Sequence, residues 1–202
     1  MKRSMEIKIW VILLFLLSGH HYLQAQGKVG IRGGVTVSRQ DFRNSNTNEG
    51  IKSKLGADLA LIAEFGIGPI AISPELHWMQ KGAKISDLNG SFGETVRTFN
   101  YVEIPVLIRL NFGLGVGVFL LAGPSFGFLL DGKDKDQDGS TQDIDFDFYK
   151  RGEFGGHIGG GISLGPIRGD IRYMFGLSNI FDDSSNLQIK NSVFGAGVSL
   201  MF

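Results

Sequence analysis

The chain has 202 residues with 20 basic and 20 acidic side chains, so its formal net charge is zero at pH 7. This balance gives no electrostatic case for nucleic-acid binding, and the lack of cysteine excludes disulfides, cysteine-ligated metals and lipid attachment through cysteine. Thirty glycines and sixteen phenylalanines against five prolines are unusual for a soluble α/β enzyme and favour close-packed strands with aromatic edges.

The first 25 residues have the layout of a cleaved secretory signal. Basic residues precede a short apolar run, residues 9–17, and a polar stretch follows that ends at Ala25. The run is shorter than the roughly 20 residues of a membrane-spanning helix, so a retained anchor is the weaker alternative. Cleavage near Ala25 would remove three basic and one acidic residue from the 20 of each, leaving 17 and 19 in one domain, residues 26–202.

Eight segments of the mature chain alternate apolar and polar residues with the period of a β-strand. The clearest is YVEIPVLIRLNF, residues 101–112, in which every even position is apolar while Glu103, Arg109 and Asn111 lie on the other side. Long polar loops and short turns that contain glycine separate the segments in strict alternation. In chain order the predicted strands are 27–38, 55–65, 70–81, 101–112, 116–130, 153–164, 167–177 and 193–202.

The alternation of four long loops, 39–54, 82–98, 131–147 and 178–191, with three short turns predicts an all-β fold. It is typical of an eight-stranded antiparallel up-and-down transmembrane β-barrel in a bacterial outer membrane, with the turns on the periplasmic side. Each strand has about the 9 to 11 residues that a tilted crossing needs. A closed barrel also leaves no unpaired backbone edge in hydrocarbon.

Alternation alone leaves open whether the apolar side faces lipid or the dry core of a secreted soluble barrel. Glycines collect on the polar side, where the narrow lumen of an eight-stranded barrel needs small residues. Charges of both signs share that side and can pair there. The apolar final strand ends at Phe202, and such a terminal aromatic resembles the signal read by the outer-membrane assembly machinery. We therefore expect the apolar side to face lipid.

The inward charges are expected to form one paired plug. The residues expected to form this plug are Glu103, Arg109, Arg168, Asp170 and Arg172. The inward histidines, His77 and His157, are expected to join a hydrogen-bonded interior. A membrane lipase or acyltransferase would need a lipid-facing Ser–His pair, which the inward Ser73 and Ser163 do not supply. The sequence therefore predicts a protein that is not an enzyme.

Most aromatic residues fall near predicted strand ends, where girdles at the two membrane interfaces are expected. The residues assigned to these girdles are Trp78, Phe99, Tyr101, Phe112, Phe128, Phe148, Tyr149, Tyr173, Phe175 and Phe202.

The third long loop contains an acidic pattern that resembles the spacing of an EF-hand calcium loop. Its carboxylates, at positions 1, 3, 5 and 12 with Gly139 at position 6, are Asp134, Asp136, Asp138 and Asp145. Asp145 is shorter than the usual glutamate, and no amphipathic helix flanks the loop. Calcium binding is one hypothesis, and a solvated acidic loop is the alternative.

Four segments resemble the outer-membrane β-barrel family of Bacteroidetes that includes PorT-like proteins. They are PELHWMQKGAK at 74–84, YVEIPVLIR at 101–109, AGPSFGFLL at 122–130 and VFGAGVSLMF at 193–202. The resemblance implies an eight-stranded outer-membrane barrel but no reaction, since most members have no assigned activity. The link of the PorT protein to type IX secretion does not extend to every relative.

From these observations we expect a non-enzymatic outer-membrane barrel that displays four loops for binding or for an envelope role. Its expected partners are outer-membrane lipid, the assembly machinery that reads the strand ending at Phe202, and envelope or secretion proteins, with no nucleic acid. The alternatives are a narrow porin-like channel and an accessory of type IX secretion.

Overall fold

The computed structural model describes residues 26–43, 51–85, 95–113, 116–144, 151–178 and 188–202. The predicted signal peptide, residues 1–25, lies outside these ranges. No helix long and apolar enough to cross a membrane occurs in the described part of the chain.

All regular structure in these ranges is β-strand. The strands are β1 (Gln26–Arg43), β2 (Ile51–Ile67), β3 (Ile70–Ile85), β4 (Thr95–Phe112), β5 (Val116–Lys135), β6 (Thr141–Asp143), β7 (Gly152–Leu164), β8 (Ile167–Gly176) and β9 (Gln188–Met201). Eight of them form one antiparallel sheet in the order β4-β3-β2-β1-β9-β8-β7-β5, which the pairing of β4 with β5 closes. Only β6, three residues long, lies outside this ring and pairs with the end of β5. The predicted eight-stranded barrel is confirmed.

Several strands run further toward the long loops than their alternation predicts. Strand β5 extends to Lys135 and β4 begins at Thr95, so the β4–β5 ladder continues into the predicted loop 131–147, where Thr98 pairs with Lys133. Within that loop β5 and β6 form a hairpin in which Lys133 pairs with Asp143. Backbone hydrogen bonds need only a partner strand, so pairing continues where the side chains no longer alternate. The apolar alternation marks the membrane-facing band rather than the ends of the strands.

The short turns, the start of β1 and the end of β9 all lie at the same end of the barrel. The turns after β2, β4 and β7 place Gly68, Gly113 and Gly165 at φ of 61°, 100° and 59°, in the left-handed region that favours glycine. We call this the turn end and the opposite end, where the long loops begin, the loop end. By the general arrangement of outer-membrane barrels the turn end is periplasmic.

The two faces of the wall differ in chemistry as predicted. In β4, Ile108 is 57% exposed and Arg109 is 1% exposed, and this contrast repeats along the strand. Large apolar side chains cover the outside of all eight barrel strands. An apolar belt of this extent is far larger than the patches on soluble monomers. The surface is that of a wall in contact with lipid.

Small residues on the inner face allow close packing. A Cβ added to Gly161 would collide with the carbonyl oxygen of Gly169 and with the ring of Phe119, whereas one added to the outward Gly169 would meet nothing nearer than 3.9 Å. The collection of glycines on the polar side therefore has the steric cause that the sequence suggested.

The prediction of aromatic girdles was wrong for Phe99 and Tyr101. Both are 1% exposed and pack inside the barrel at the loop end. They occupy the same odd positions of β4 as Glu103, so the period of the strand turns them inward although they lie near its end. Phe148 and Tyr149 lie outside the described residues.

Candidate functional site

Six buried side chains form a closed ring of alternating charge inside the barrel. They project from the inner faces of β1, β2, β3 and β8 and are 0–1% exposed. The members of this central ring, in order of contact, are Arg32, Asp58, His77, Glu75, Arg172 and Asp170.

The two arginines of the central ring join carboxylates on different strands. Arg32 donates from Nε and Nη2 to Asp170 at 3.0 and 2.8 Å, and from Nη1 to Asp58. Arg172 donates from Nε to Asp170 at 2.7 Å and from Nη1 to Glu75 at 2.5 Å. Such charge-assisted, multiply bonded pairs fix the relative positions of the strands that carry them.

His77 completes the central ring between two carboxylates. Its Nδ1 lies 2.7 Å from Asp58 Oδ1, and its Nε2 lies 2.7 Å from Glu75 Oε2. Ionised carboxylates only accept hydrogen bonds, so both contacts are satisfied when each ring nitrogen carries a proton. With that imidazolium, the central ring holds three cations and three anions and is neutral.

A second group, the loop-side group, lies nearer the loop end. Lys81 contacts Glu103 at 2.8 Å and Glu153 at 3.0 Å, and His157 Nε2 lies 2.7 Å from Glu103. Asn191 donates to Glu153 at 3.0 Å. The rings of His157 and His77 meet edge to face with centroids 5.9 Å apart, so this group contacts the central ring.

A third group, the turn-side group, lies near the turn end. Arg168 donates two hydrogen bonds to Glu64, at 2.7 and 3.0 Å. Arg109 lies 3.4 Å from the same carboxylate, and its guanidinium stacks over the ring of Phe119 at 4.0 Å. One carboxylate therefore faces two arginines.

Apolar layers fill the space that the charged groups leave. A buried cluster at the loop end consists of Met79, Phe99, Tyr101, Leu129, Met174 and Val193. Leu107, Phe119 and Leu121 form a second cluster. The gap beside Lys81 and Glu103 measures about 10 Å³, which is room for at most one water molecule. The interior is a packed core rather than an aqueous lumen.

The five residues predicted as one plug all lie inside the barrel, but in three groups. Asp170 and Arg172 belong to the central ring, Glu103 to the loop-side group, and Arg109 and Arg168 to the turn-side group. The sequence did not predict which side chains form ion pairs with these five residues. Alternation places Arg32, Asp58 and Glu75 on the inner face, but it does not say which strands face each other across the lumen.

The acidic pattern of the third loop lies mostly on a hairpin. Asp134 is paired with Arg97 at 2.6 Å, and Asp136 accepts a hydrogen bond from Thr95 at 2.8 Å. The Ser140 backbone N–H donates to Asp138 at 2.9 Å, and this bond lowers the pKa of the Asp138 carboxyl. Asp145 lies outside the described residues, and among those described no group of three acidic or histidine side chains could hold a metal. Calcium binding therefore stays a prediction.

Comparison of the sequence with known protein families identifies the family of the chain. Residues 24–182, most of the chain, match the family described as outer membrane protein beta-barrel domain. No curated protein matches the sequence at a significant level.

Solved outer-membrane barrels are similar at low identity. Neisserial surface protein A is 13% identical, with 86% of this chain and 97% of that chain covered at a TM-score of 0.48. A major outer membrane protein from Thermus thermophilus is 16% identical, with 87% and 99% covered at 0.49, and Ail of Yersinia pestis is 15% identical, with 87% and 99% covered at 0.45. By its match over residues 24–182, the chain belongs to the outer membrane protein β-barrel domain family and is a small eight-stranded protein of the bacterial outer membrane.

Proposed function

We propose that this protein is a non-enzymatic and non-conducting barrel whose rigid wall holds four extracellular loops in place for binding or for a structural role in the envelope. The observation that supports this proposal is the packed interior, which three charged groups and two apolar clusters fill. A rigid, filled barrel is suited to present loops.

A porin-like channel is the less favoured alternative. Conducting barrels have wider lumens lined by water, whereas an eight-stranded barrel is just wide enough for its own side chains. Here the loop-end cluster, including Met79, Phe99 and Tyr101, lies across the path that an ion would take. Moving these side chains aside would expose the buried charges below them.

Planar-bilayer recording tests the proposal. We expect the mature protein, after insertion verified by its heat-modifiable migration on gels, to show no stable unitary current. Among the described residues the loop-end cluster fills the lumen, and the gap beside Lys81 is only about 10 Å³, which is too small for a hydrated ion. Reproducible unitary conductance steps that scale with the amount of inserted protein would contradict the proposal and favour the channel. Boiled protein in the same detergent serves as the control.

The role in type IX secretion stays a prediction. It depends on the resemblance of segments such as residues 101–109 to PorT-like proteins of Bacteroidetes, and this finer family assignment is part of the proposal. The broader assignment, to outer-membrane barrels, is the one that the family match gives.

A further inference from the structure

The turn end of the barrel opens into a polar depression of about 860 Å³. The turns at Gly68 and Gly165 and residue Phe202, which follows β9, frame this depression, which we call the periplasmic vestibule. Among the side chains that line it are Lys28, Glu64, Asn111, Ser163 and Arg168. The vestibule therefore lies directly below the turn-side group, with Glu64 and Arg168 in its lining.

Positive charge is in excess at this site. Lys28, Arg109 and Arg168 face a single buried carboxylate, Glu64, which the two hydrogen bonds from Arg168 already occupy. Even if a carboxylate at Phe202 is counted together with Glu64, two negative charges face three positive ones. The central ring balances its charges internally, so it does not supply the missing anion.

Of these three cations, Arg109 is the one with buried hydrogen-bond donors that have no acceptor in the described part of the chain. It is 1% exposed, and two of its nitrogens, Nε and Nη1, are buried without a hydrogen-bond partner among the described side chains. Its ion-pair distance of 3.4 Å to Glu64 is long, and the Phe119 ring covers one face of its guanidinium. A buried guanidinium with unused donors is costly, and an anion placed beside it would remove that cost.

Arg109 also lies next to the vestibule. It is paired across the β3–β4 ladder with Ala71, which lines the depression, and it contacts Glu64, which lines it as well. We propose that the periplasmic vestibule binds an anionic group, a carboxylate or a phosphate, between Arg109, Arg168 and Lys28. Arginine forks suit the two or three oxygens of such a group, and Lys28 at the rim adds an accessible charge.

Two sources can supply this chemistry. One is a small anion dissolved in the periplasm, and the other is the phosphate of an anionic phospholipid headgroup, which no choline ammonium neutralises, because the turn end lies at the membrane interface. A metal cation is disfavoured by the excess positive charge. The inference does not depend on the role of the extracellular loops.

The first arm of the test uses the refolded mature protein in a non-ionic detergent, which carries no phosphate, with ¹⁵N-labelled arginine. Inorganic phosphate is titrated against sodium chloride of equal ionic strength while the side-chain Nε–Hε signals are followed. We expect a saturable shift at Arg109 and Arg168 with phosphate and none with chloride. Arg109→Gln should weaken phosphate binding about ten-fold, since it removes charge-assisted hydrogen bonds.

Lys28→Gln tests the same site without touching a buried group, because Lys28 is exposed at the rim. It should weaken phosphate binding about three-fold, as expected for a partly screened charge. The matched control is Lys133→Gln, which removes an exposed lysine at the loop end and should leave binding unchanged.

The second arm compares nanodiscs of phosphatidylglycerol with nanodiscs of phosphatidylcholine. A phosphate response in detergent supports a dissolved anion. A shift of Arg109 that occurs only in phosphatidylglycerol and is reduced by Lys28→Gln supports a lipid headgroup. If neither phosphate nor phosphatidylglycerol moves the Arg109 signal beyond the chloride control, the proposal is overturned and stacking on Phe119 alone accounts for Arg109.

Discussion

Replacing Asp170 with asparagine is expected to lower the free energy of unfolding by about 3–5 kcal/mol, the usual effect of removing one partner from a buried ionic network. Asp170 accepts three hydrogen bonds from Arg32 and one from Arg172. Asparagine keeps the shape but not the charge, so both guanidinium groups stay buried with too little counter-charge. Both guanidinium groups are 0% exposed, so solvent does not compensate for the lost charge.

The measurement is equilibrium urea unfolding of the refolded protein, followed by the fluorescence of Trp78, the one tryptophan of residues 26–202. The matched control is Asp138→Asn at the tip of the exposed hairpin, where a change within about 0.5 kcal/mol is expected. A stability of Asp170→Asn equal to that of the control would contradict the account of the central ring.

Replacing Leu61 with arginine is expected to destabilise the protein in lipid bilayers by about 2–4 kcal/mol, the cost of arginine near the bilayer midplane of a β-barrel. Leu61 is 59% exposed on the outer face of β2, midway between Leu55 and Ile67. Its partners in the two neighbouring strands, Ile31 and Leu76, are apolar. The cost comes from placing a guanidinium in hydrocarbon.

Ile67→Arg is the matched control, with the same substitution on the same face of the same strand. Ile67 is 73% exposed beside the turn, at the membrane interface, and a cost of only about 0–1 kcal/mol is expected there. Reversible unfolding in vesicles of one lipid composition gives both values. Two small and equal costs would indicate that water rather than lipid surrounds the wall, as in a secreted soluble barrel.

The sequence was sufficient for the strands and their faces because alternation is a local property. In β4, Ile108 and Arg109 are adjacent in sequence and opposite in environment, and no knowledge of the fold is needed to expect this. The ends of the strands were harder to predict from the sequence. Backbone pairing carries β5 to Lys135 through polar residues that show no alternation, and the short strand β6 has no apolar pattern at all.

The interior partners could not be predicted because they depend on which strands face each other across the lumen. Arg32 and Asp170 are 138 positions apart in the sequence. They meet because β9 pairs with both β1 and β8 and so brings these two strands close together. The inward orientation of Phe99 and Tyr101 was predictable from the sequence, since both residues share the odd positions of β4 with Glu103. Parity within the strand decides which way a side chain points, whereas nearness to a strand end decides only its height along the barrel.

The central claim is that lipid contacts the apolar side of every strand while the charged side is closed within the barrel. Because the chain has no cysteine, single cysteines can be placed one at a time along β4, at Ile104, Pro105, Val106, Leu107 and Ile108, and labelled with a fluorophore. In vesicles that contain brominated lipid, the account predicts labelling and strong quenching at the even positions. It predicts little labelling at the odd positions, where the packed interior has no room for a fluorophore. Quenching that is uniform along the strand, or strongest at positions 105 and 107, would contradict it.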